Sequence, residues 1–180
     1  MIGSRSLSIE CATGVQLAGA NAVAISPSGE DVYVTALESN AVTAFTRNPS
    51  TGHVAQKSGT EACVLYVLAV GCSLGRAMQA PEDLAASSDG ASVYLAAYGS
   101  SAIDVLDRSA SAGALRQKSR RPGCAVLRPQ PDCHAGRAVG RPGGVAVSPD
   151  GRSVYLAASG SDAVAVFRRV TPAPPPPGRG

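Results

Sequence analysis

The chain has 180 residues, a net charge of +3 and 44% apolar residues, but only 4% aromatic ones and no Trp. A domain of this length buries roughly 70% of its unfolded surface, so a sizeable core is available, and it must be built from Ala, Val, Leu and Ile. The charge is too mild and too scattered to point to nucleic acid. The longest apolar run, Ala62 to Cys72, is about half of the roughly 20 residues that a membrane-spanning helix needs.

Taken in chain order, the opening stretch Met1–Gly14 holds one Arg and no apolar h-region, so no signal peptide is read there. Three near copies then follow, at Ser26–Phe45, Ser87–Leu106 and Ser148–Phe167. Gly29, Gly90 and Gly151 stand 61 residues apart. Tyr33, Tyr94 and Tyr155 keep the same step, as do Ser39, Ser100 and Ser161, and Phe45, Leu106 and Phe167. A fixed period is the signature of a repeat architecture and outranks any local motif.

Inside each unit a short apolar run such as Gly144–Ser148 leads into a tight turn closed by Gly151, with Pro149 presetting the turn. A second strand, a small-residue turn and a third strand follow. In the first two units "HVAQKS" and "ALRQKS" supply a fourth strand. Four short strands with a turn about every ten residues predict an all-β meander. The runs "AVAI", "VYLAA" and "AVAVF" are apolar on both faces, as in strands covered on both sides. Four-stranded sheets stacked face to face around an axis make a β-propeller. The alternative, a β-sandwich, requires a polar outer face on each strand.

The implied organisation is a partial inter-blade loop over 1–19, a first blade over 20–61 and a cysteine-bearing loop over 62–80. A second blade over 81–122 and a second cysteine loop over 123–141 follow. An incomplete third blade covers 142–170, and a Pro-rich extended tail covers 171–180. Three blades do not close a ring, so two blade faces and an edge strand are expected to need cover. The expected partners are the remaining blades of a longer propeller or further copies of the chain, a symmetric six-bladed dimer being one arrangement. No nucleic-acid or membrane partner is expected.

The stretch "VAVSPDGRSVYLAASGSDAVAVFRR", Val145 to Arg169, resembles the YVTN-type repeat of the seven-bladed lactonase-like propellers, which include the 6-phosphogluconolactonase-like proteins. The resemblance runs from about Ala20 to Arg169. It implies a β-propeller fold. The matching residues are turn and core residues, so no catalytic residue of that family maps onto this chain, and folds host many functions.

The five cysteines fall in the same register. Cys63 and Cys124 are 61 apart, Cys72 lies 61 before Cys133, and Cys11 lies 61 before Cys72. The register suggests the pairs Cys63–Cys72 and Cys124–Cys133, with Cys11 left as a free thiol because Ile2 stands at its partner position. Free thiols and a zinc site are the rivals, but zinc wants closer spacing and more ligands, and His53 and His134 do not repeat. Disulfides imply an oxidising compartment, extracytoplasmic or secreted.

The functional face of such a fold is where the inserts meet the turns between second and third strands. Arg76 and Arg137, in the repeated "GRA", and His134 are candidate ligand contacts there. The plainer roles are an Arg bound to a backbone carbonyl and an incidental His. Lactone hydrolysis needs a base for water and a donor for the oxyanion. His134, Glu38, Asp104 and Asp162 are the available groups, and their spacing joins no two of them. Asp89 and Asp150 read as turn residues. No Gly-rich phosphate loop follows a strand and opens a helix. No cofactor or metal is expected and the ligand is open. The sequence thus points first to a non-enzymatic scaffold or binding module, and second to a segment of a lactonase-like hydrolase.

Overall fold

The turn between first and second strands is built the same way three times. The carbonyls of Ser26, Ser87 and Ser148 accept the N–H of Gly29, Gly90 and Gly151 at 2.8, 2.9 and 2.8 Å. The same serines' hydroxyl oxygens accept the N–H of Asp31, Ser92 and Ser153 at 3.1, 3.0 and 2.9 Å. The glycines hold φ of 75°, 68° and 68°, a region that side chains disfavour. A Cβ on Gly151 would also stand 2.7 Å from the Ser88 hydroxyl. These turns fix where the second strands begin. The computed structural model describes residues 14–67 and 69–169. Cys11, expected as a free thiol, and the tail from Thr171 lie outside the described residues.

The first blade is a meander of β1 (Ala20–Ile25), β2 (Asp31–Ala36) and β3 (Ala41–Arg47), followed by β4 (Val54–Gln56), β5 (Cys63–Leu65) and β6 (Ser73–Leu74). The second repeats it as β7 (Pro81–Ala86), β8 (Ser92–Ala97), β9 (Ala102–Arg108), β10 (Leu115–Gln117), β11 (Cys124–Val126) and β12 (His134–Ala135). The third has β13 (Pro142–Val147), β14 (Ser153–Ala158) and β15 (Ala163–Arg168). The innermost strands β1, β7 and β13 pack in succession. This is an all-β fragment of a β-propeller, with its ring open among the described residues.

The cysteine segments differ from the loops expected of them. The outer strand of blade one is split between β4, which pairs with Phe45–Arg47, and β5, which pairs with Ala41–Thr43. Ala44 bridges the break: its carbonyl accepts the Lys57 N–H and its N–H donates to the Ala62 carbonyl, both at 2.9 Å. One turn of 3-10 helix, Gly59–Glu61, takes up the detour. Then β6 runs parallel to β5, joined only by the segment from Tyr66 to Cys72. Parallel neighbours ordinarily need a crossover of about a dozen residues or more. Here a disulfide ties the short connection. Cys63 and Cys72 precede the paired residues Val64 and Ser73, and their Cα atoms are 4.9 Å apart. Cys124–Cys133 repeats the arrangement in blade two at the same Cα separation. Closing so short a loop contributes on the order of 2–3 kcal/mol in the chain-entropy account.

The core lies between blades. Tyr33, Val42, Ala44 and Val64 of blade one pack on Leu84, Val93, Leu95, Leu106 and Leu115 of blade two. One repeat later Tyr94, Ala96 and Ile103 meet Val145, Val154 and Leu156. In blades two and three an arginine at the end of the third strand crosses the seam to the preceding blade. Arg108 Nε donates to the Tyr33 hydroxyl at 2.9 Å, and its Nη2 pairs with the Asp31 carboxylate. The Tyr33 hydroxyl donates in turn to the Gly113 carbonyl at 2.7 Å. Arg169 Nε donates to the Tyr94 hydroxyl at 2.7 Å, and its Nη2 holds both Asp89 oxygens at 2.9 and 3.0 Å. Arg47, Arg108 and Arg169 each donate from Nη1 to the turn glycine of their own blade, at 2.9, 3.4 and 2.8 Å. Burial, reinforced by Asp31 and partly offset by Arg108, pushes the Tyr33 hydroxyl up to about 12.

The last blade exposes a face that the first two keep covered. Tyr33 is 0% exposed and Tyr94 7%, but Tyr155 is 42% exposed. Along β14 and β15 buried residues alternate with exposed Tyr155, Ala157, Val164 and Val166. On blade one Val23, Ile25 and Val54 are exposed on the opposite face.

Replacing Arg108 by Ala leaves the Asp31 carboxylate and the Tyr33 hydroxyl short of a partner inside the seam. Urea unfolding is expected to register a loss of about 3 kcal/mol, as for a broken buried pair. Arg116→Ala, on the exposed side of β10, is expected to stay within about 0.5 kcal/mol. Equal losses would contradict the seam role of Arg108.

Candidate functional site

The inserts and the turns between second and third strands share one face. The backbone N–H groups of Ala18, Gln79 and Gly140 donate to the hydroxyls of Ser39, Ser100 and Ser161 at 3.1, 3.0 and 2.9 Å. The following turn residue serves the next insert: Asn40 Oδ1 accepts the Ala80 N–H at 2.7 Å, and Ser101 Oγ accepts the Arg141 N–H at 3.1 Å. Asn40 and Ser101 sit at φ of 51° and 48°. The repeated serines are therefore anchors for the inserts.

On this face each innermost strand is interrupted once, between Ala20 and Ala22, Pro81 and Asp83, and Pro142 and Gly144. The extra residues are Asn21, Glu82 and Gly143. A bulge re-aims a side chain, and here it brings Asn21 and Glu82 together. Asn21 Nδ2 donates to the carbonyls of Pro81 and Glu82 at 3.2 and 3.0 Å and to Glu82 Oε2 at 3.3 Å. Its Oδ1 accepts the Thr35 hydroxyl at 2.8 Å. Next in line, Asp83 Oδ2 accepts the Val145 N–H of the third blade at 2.9 Å, and Oδ1 accepts the Leu84 N–H at the same distance. The result is a short polar line of amide, carboxylate and bare glycine. The Asn21 amide is committed within this line, and the Glu82 carboxylate is the acceptor it presents to a ligand. Sequence reasoning missed Asn21, Glu82 and Asp83. Their signal was position without kind: they share the 61-residue register, but the residue type changes in each blade.

A second polar cluster lies in the outer half of blade two. Asp104 is fully buried where the other blades carry Thr43 and Ala165. Its Oδ1 accepts Gln117 Nε2 at 2.9 Å, while Oδ2 and the neighbouring Arg76 Nε have no partner among the described residues. Burial pushes the Asp104 carboxyl well above the usual carboxylate range, against the opposing pull of Gln117 and Arg76. The Gln117 amide also clamps Arg76, accepting its N–H at 2.8 Å and donating to its carbonyl at 2.9 Å. Gln56 clamps Val15 identically, at 2.9 Å each way.

Arg76 uses Nη2 to reach the carbonyls of Lys118 and Arg120 at 2.9 and 3.1 Å. Arg137 and His134 are exposed and line a groove of about 460 Å³ beside β15. Glu38 and Asp162 stand on separate exposed turns. Thus the groups considered for lactone hydrolysis, His134, Glu38, Asp104 and Asp162, are not gathered at one place. Asp89 is a turn residue that also crosses a seam. Burial raises its carboxyl, but Ser87, the Ala91 N–H and Arg169 outweigh this and hold it below the usual range. Among the described residues no group of three or more His, Cys, Asp or Glu side chains is placed to hold a metal ion. No helix among them is long and apolar enough to cross a membrane.

Above about pH 4 an unfolded carboxyl ionises, whereas the buried Asp104 keeps its proton to higher pH. The unfolded state then binds fewer protons, so this residue lowers stability as pH rises. The Asp104→Asn variant lacks that term. Its melting temperature relative to the parent is expected to climb from pH 4 towards neutrality and level off where the folded carboxyl ionises. A difference independent of pH would contradict the assignment.

No protein-family model matches the chain, and no curated protein does. Solved structures do. A candidate 6-phosphogluconolactonase from Bacteroides uniformis is 19% identical over 93% of this chain and 40% of its own, with a TM-score of 0.59. A protein from Lactobacillus plantarum is 22% identical over 84% of this chain and 38% of its own, at 0.60. The periplasmic gluconolactonase of Pseudomonas aeruginosa is 21% identical over 83% of this chain and 36% of its own, at 0.55. The chain therefore has the fold of the lactonase-like β-propellers and spans 36–40% of the length of these three structures.

Proposed function

We propose that the chain is a β-propeller segment that serves as a binding scaffold through its loop face and carries out no reaction of its own. One observation supports this most. The residues repeating every 61 positions hold turns, inserts and blades together, whereas Asn21, Glu82 and Gly143 occupy equivalent bulges with different chemistry. Equivalent sites that vary in kind suit recognition of one unsymmetrical ligand. The open faces are covered in this reading by further blades or by other copies of the chain. The two disulfides and the periplasmic neighbour favour an extracytoplasmic setting.

The second reading is a segment of a lactonase-like hydrolase. It is favoured by the half-buried Glu82 carboxylate, a candidate base held in place by the Asn21 amide, and by the lactonases among the structural neighbours. Ring opening of glucono-δ-lactone, followed by base uptake at constant pH, separates the two. The scaffold reading expects the chain and its Glu82→Gln variant to match the uncatalysed rate. Acceleration by the parent that is lost in Glu82→Gln would replace it with the hydrolase reading.

A further inference from the structure

The two disulfides hold equivalent places in blades one and two, but the residues that face them across the sheet differ. Thr43 stands directly opposite Cys63, and Asp104 stands directly opposite Cys124. Residues opposed in this way lie on one face, with Cβ atoms about 4.5–5.5 Å apart. The Thr43 hydroxyl is satisfied by its own sheet, donating to the Val34 carbonyl at 3.3 Å. Asp104 is 0% exposed, and its Oδ2 has no partner among the described residues.

The groups around this oxygen are engaged elsewhere. Gln117 Nε2 serves Oδ1, and the strand on the other side presents Leu95. Arg76 is the cation that acts on the carboxyl. Its Nη2 is fixed on the carbonyls of Lys118 and Arg120, and its Nε does not reach Oδ2. Lys118 and Asp107 pair with each other, while Arg120, Arg121, Asp132 and His134 are exposed. The Cys124 sulfur cannot serve Oδ2 either, because a bonded sulfur has no hydrogen to donate. A thiol has one. Reduction would free the Cys124 side chain to turn and donate its S–H to Oδ2. A buried acceptor without a donor is costly, and here that cost falls on the disulfide form alone. In blade one no unsatisfied oxygen faces Cys63.

We propose that Cys124–Cys133 is a redox-sensitive pair that exchanges with a dithiol, and that Asp104 is the positioning residue that favours its reduced form. The dithiol gives up two electrons and two protons and closes to a cyclic disulfide. The bond between Cys124 and Cys133 opens to two thiols, and the Cys124 S–H is received by Asp104 Oδ2. Cys63–Cys72, facing Thr43, stays the structural bridge. Reduction removes the tie across the short parallel connection between β11 and β12, and so loosens the insert that carries Arg137 on the loop face. The inference is independent of whether that face binds or hydrolyses.

The probe is dithiothreitol. The full chain is equilibrated with mixtures of its reduced and oxidised forms and quenched by alkylation, and each cysteine pair is read by peptide mass. Asp104→Asn puts an amide N–H group, which accepts nothing, in place of the unpartnered oxygen. It is expected to make Cys124–Cys133 about tenfold harder to reduce and to leave Cys63–Cys72 unchanged. A second readout needs no variant. In the parent the reduced fraction of Cys124–Cys133 relative to that of Cys63–Cys72 is expected to rise from about pH 4 towards neutrality. Burial keeps the proton on Asp104 in the disulfide form, whereas the S–H donor favours the carboxylate in the dithiol form. The dithiol form then binds fewer protons and gains as pH rises. A relative fraction independent of pH, an Asp104→Asn pair reduced as readily as the parent's, or an equal shift at Cys63–Cys72 each overturns the proposal.

Discussion

The contact on which the rest of the fold depends is the arginine that crosses from one blade to the preceding one. Apolar packing between blades is non-directional. Arg108 adds direction by engaging the turn glycine of its own blade and the tyrosine and carboxylate of its neighbour at once. It is nearly excluded from solvent, as is Asp31. A charge there is tolerable only because its partners are fixed in number and direction. The tyrosine is the hinge of the arrangement. Its ring belongs to the apolar seam and its hydroxyl to the polar clasp, so packing and hydrogen bonding set the same register.

The two seams solve one problem with different acids. The first uses Asp31 on the second strand, helped by Lys57. The second uses Asp89 in the turn, oriented by the Ser87 hydroxyl. The position of Asp31 is taken in later blades by Ser92 and Ser153, and that of Asp89 in the first blade by Ser28. The repeat therefore preserves the arginine and the tyrosine but lets the counter-charge move by a few residues. What is held constant is the geometry at the guanidinium.

Much of this was legible in the sequence because turns and pairs need particular residues at fixed steps. The turn glycines, the tyrosines and the cysteine pairs all announce themselves by register. Arg47, Arg108 and Arg169 stand in that register too, yet charged residues at strand ends read as solvated, and their partners lie in another blade. The split outer strand was hidden for a different reason. A three-residue strand such as Cys63–Leu65 shows no period, and its pairing rests on Ala44 turning both its backbone groups outward. Asn21 and Glu82 were hidden because a bulge is a property of backbone pairing, and nothing in their residue type marks it. Asp104 was visible as an acid, but its burial comes from the Cys124 strand laid across it.

The clasp also has a direction. Each blade offers an arginine on one face and a tyrosine with its acid on the other, so two identical faces have nothing to exchange. Arg47 stands at one end of the described segment, and Tyr155 with Asp150 at the other. Units joined through such faces add head to tail only. Contacts of that kind have no natural stopping point in themselves. Whether they form a closed ring or a running fibre is decided by the angle each blade adds.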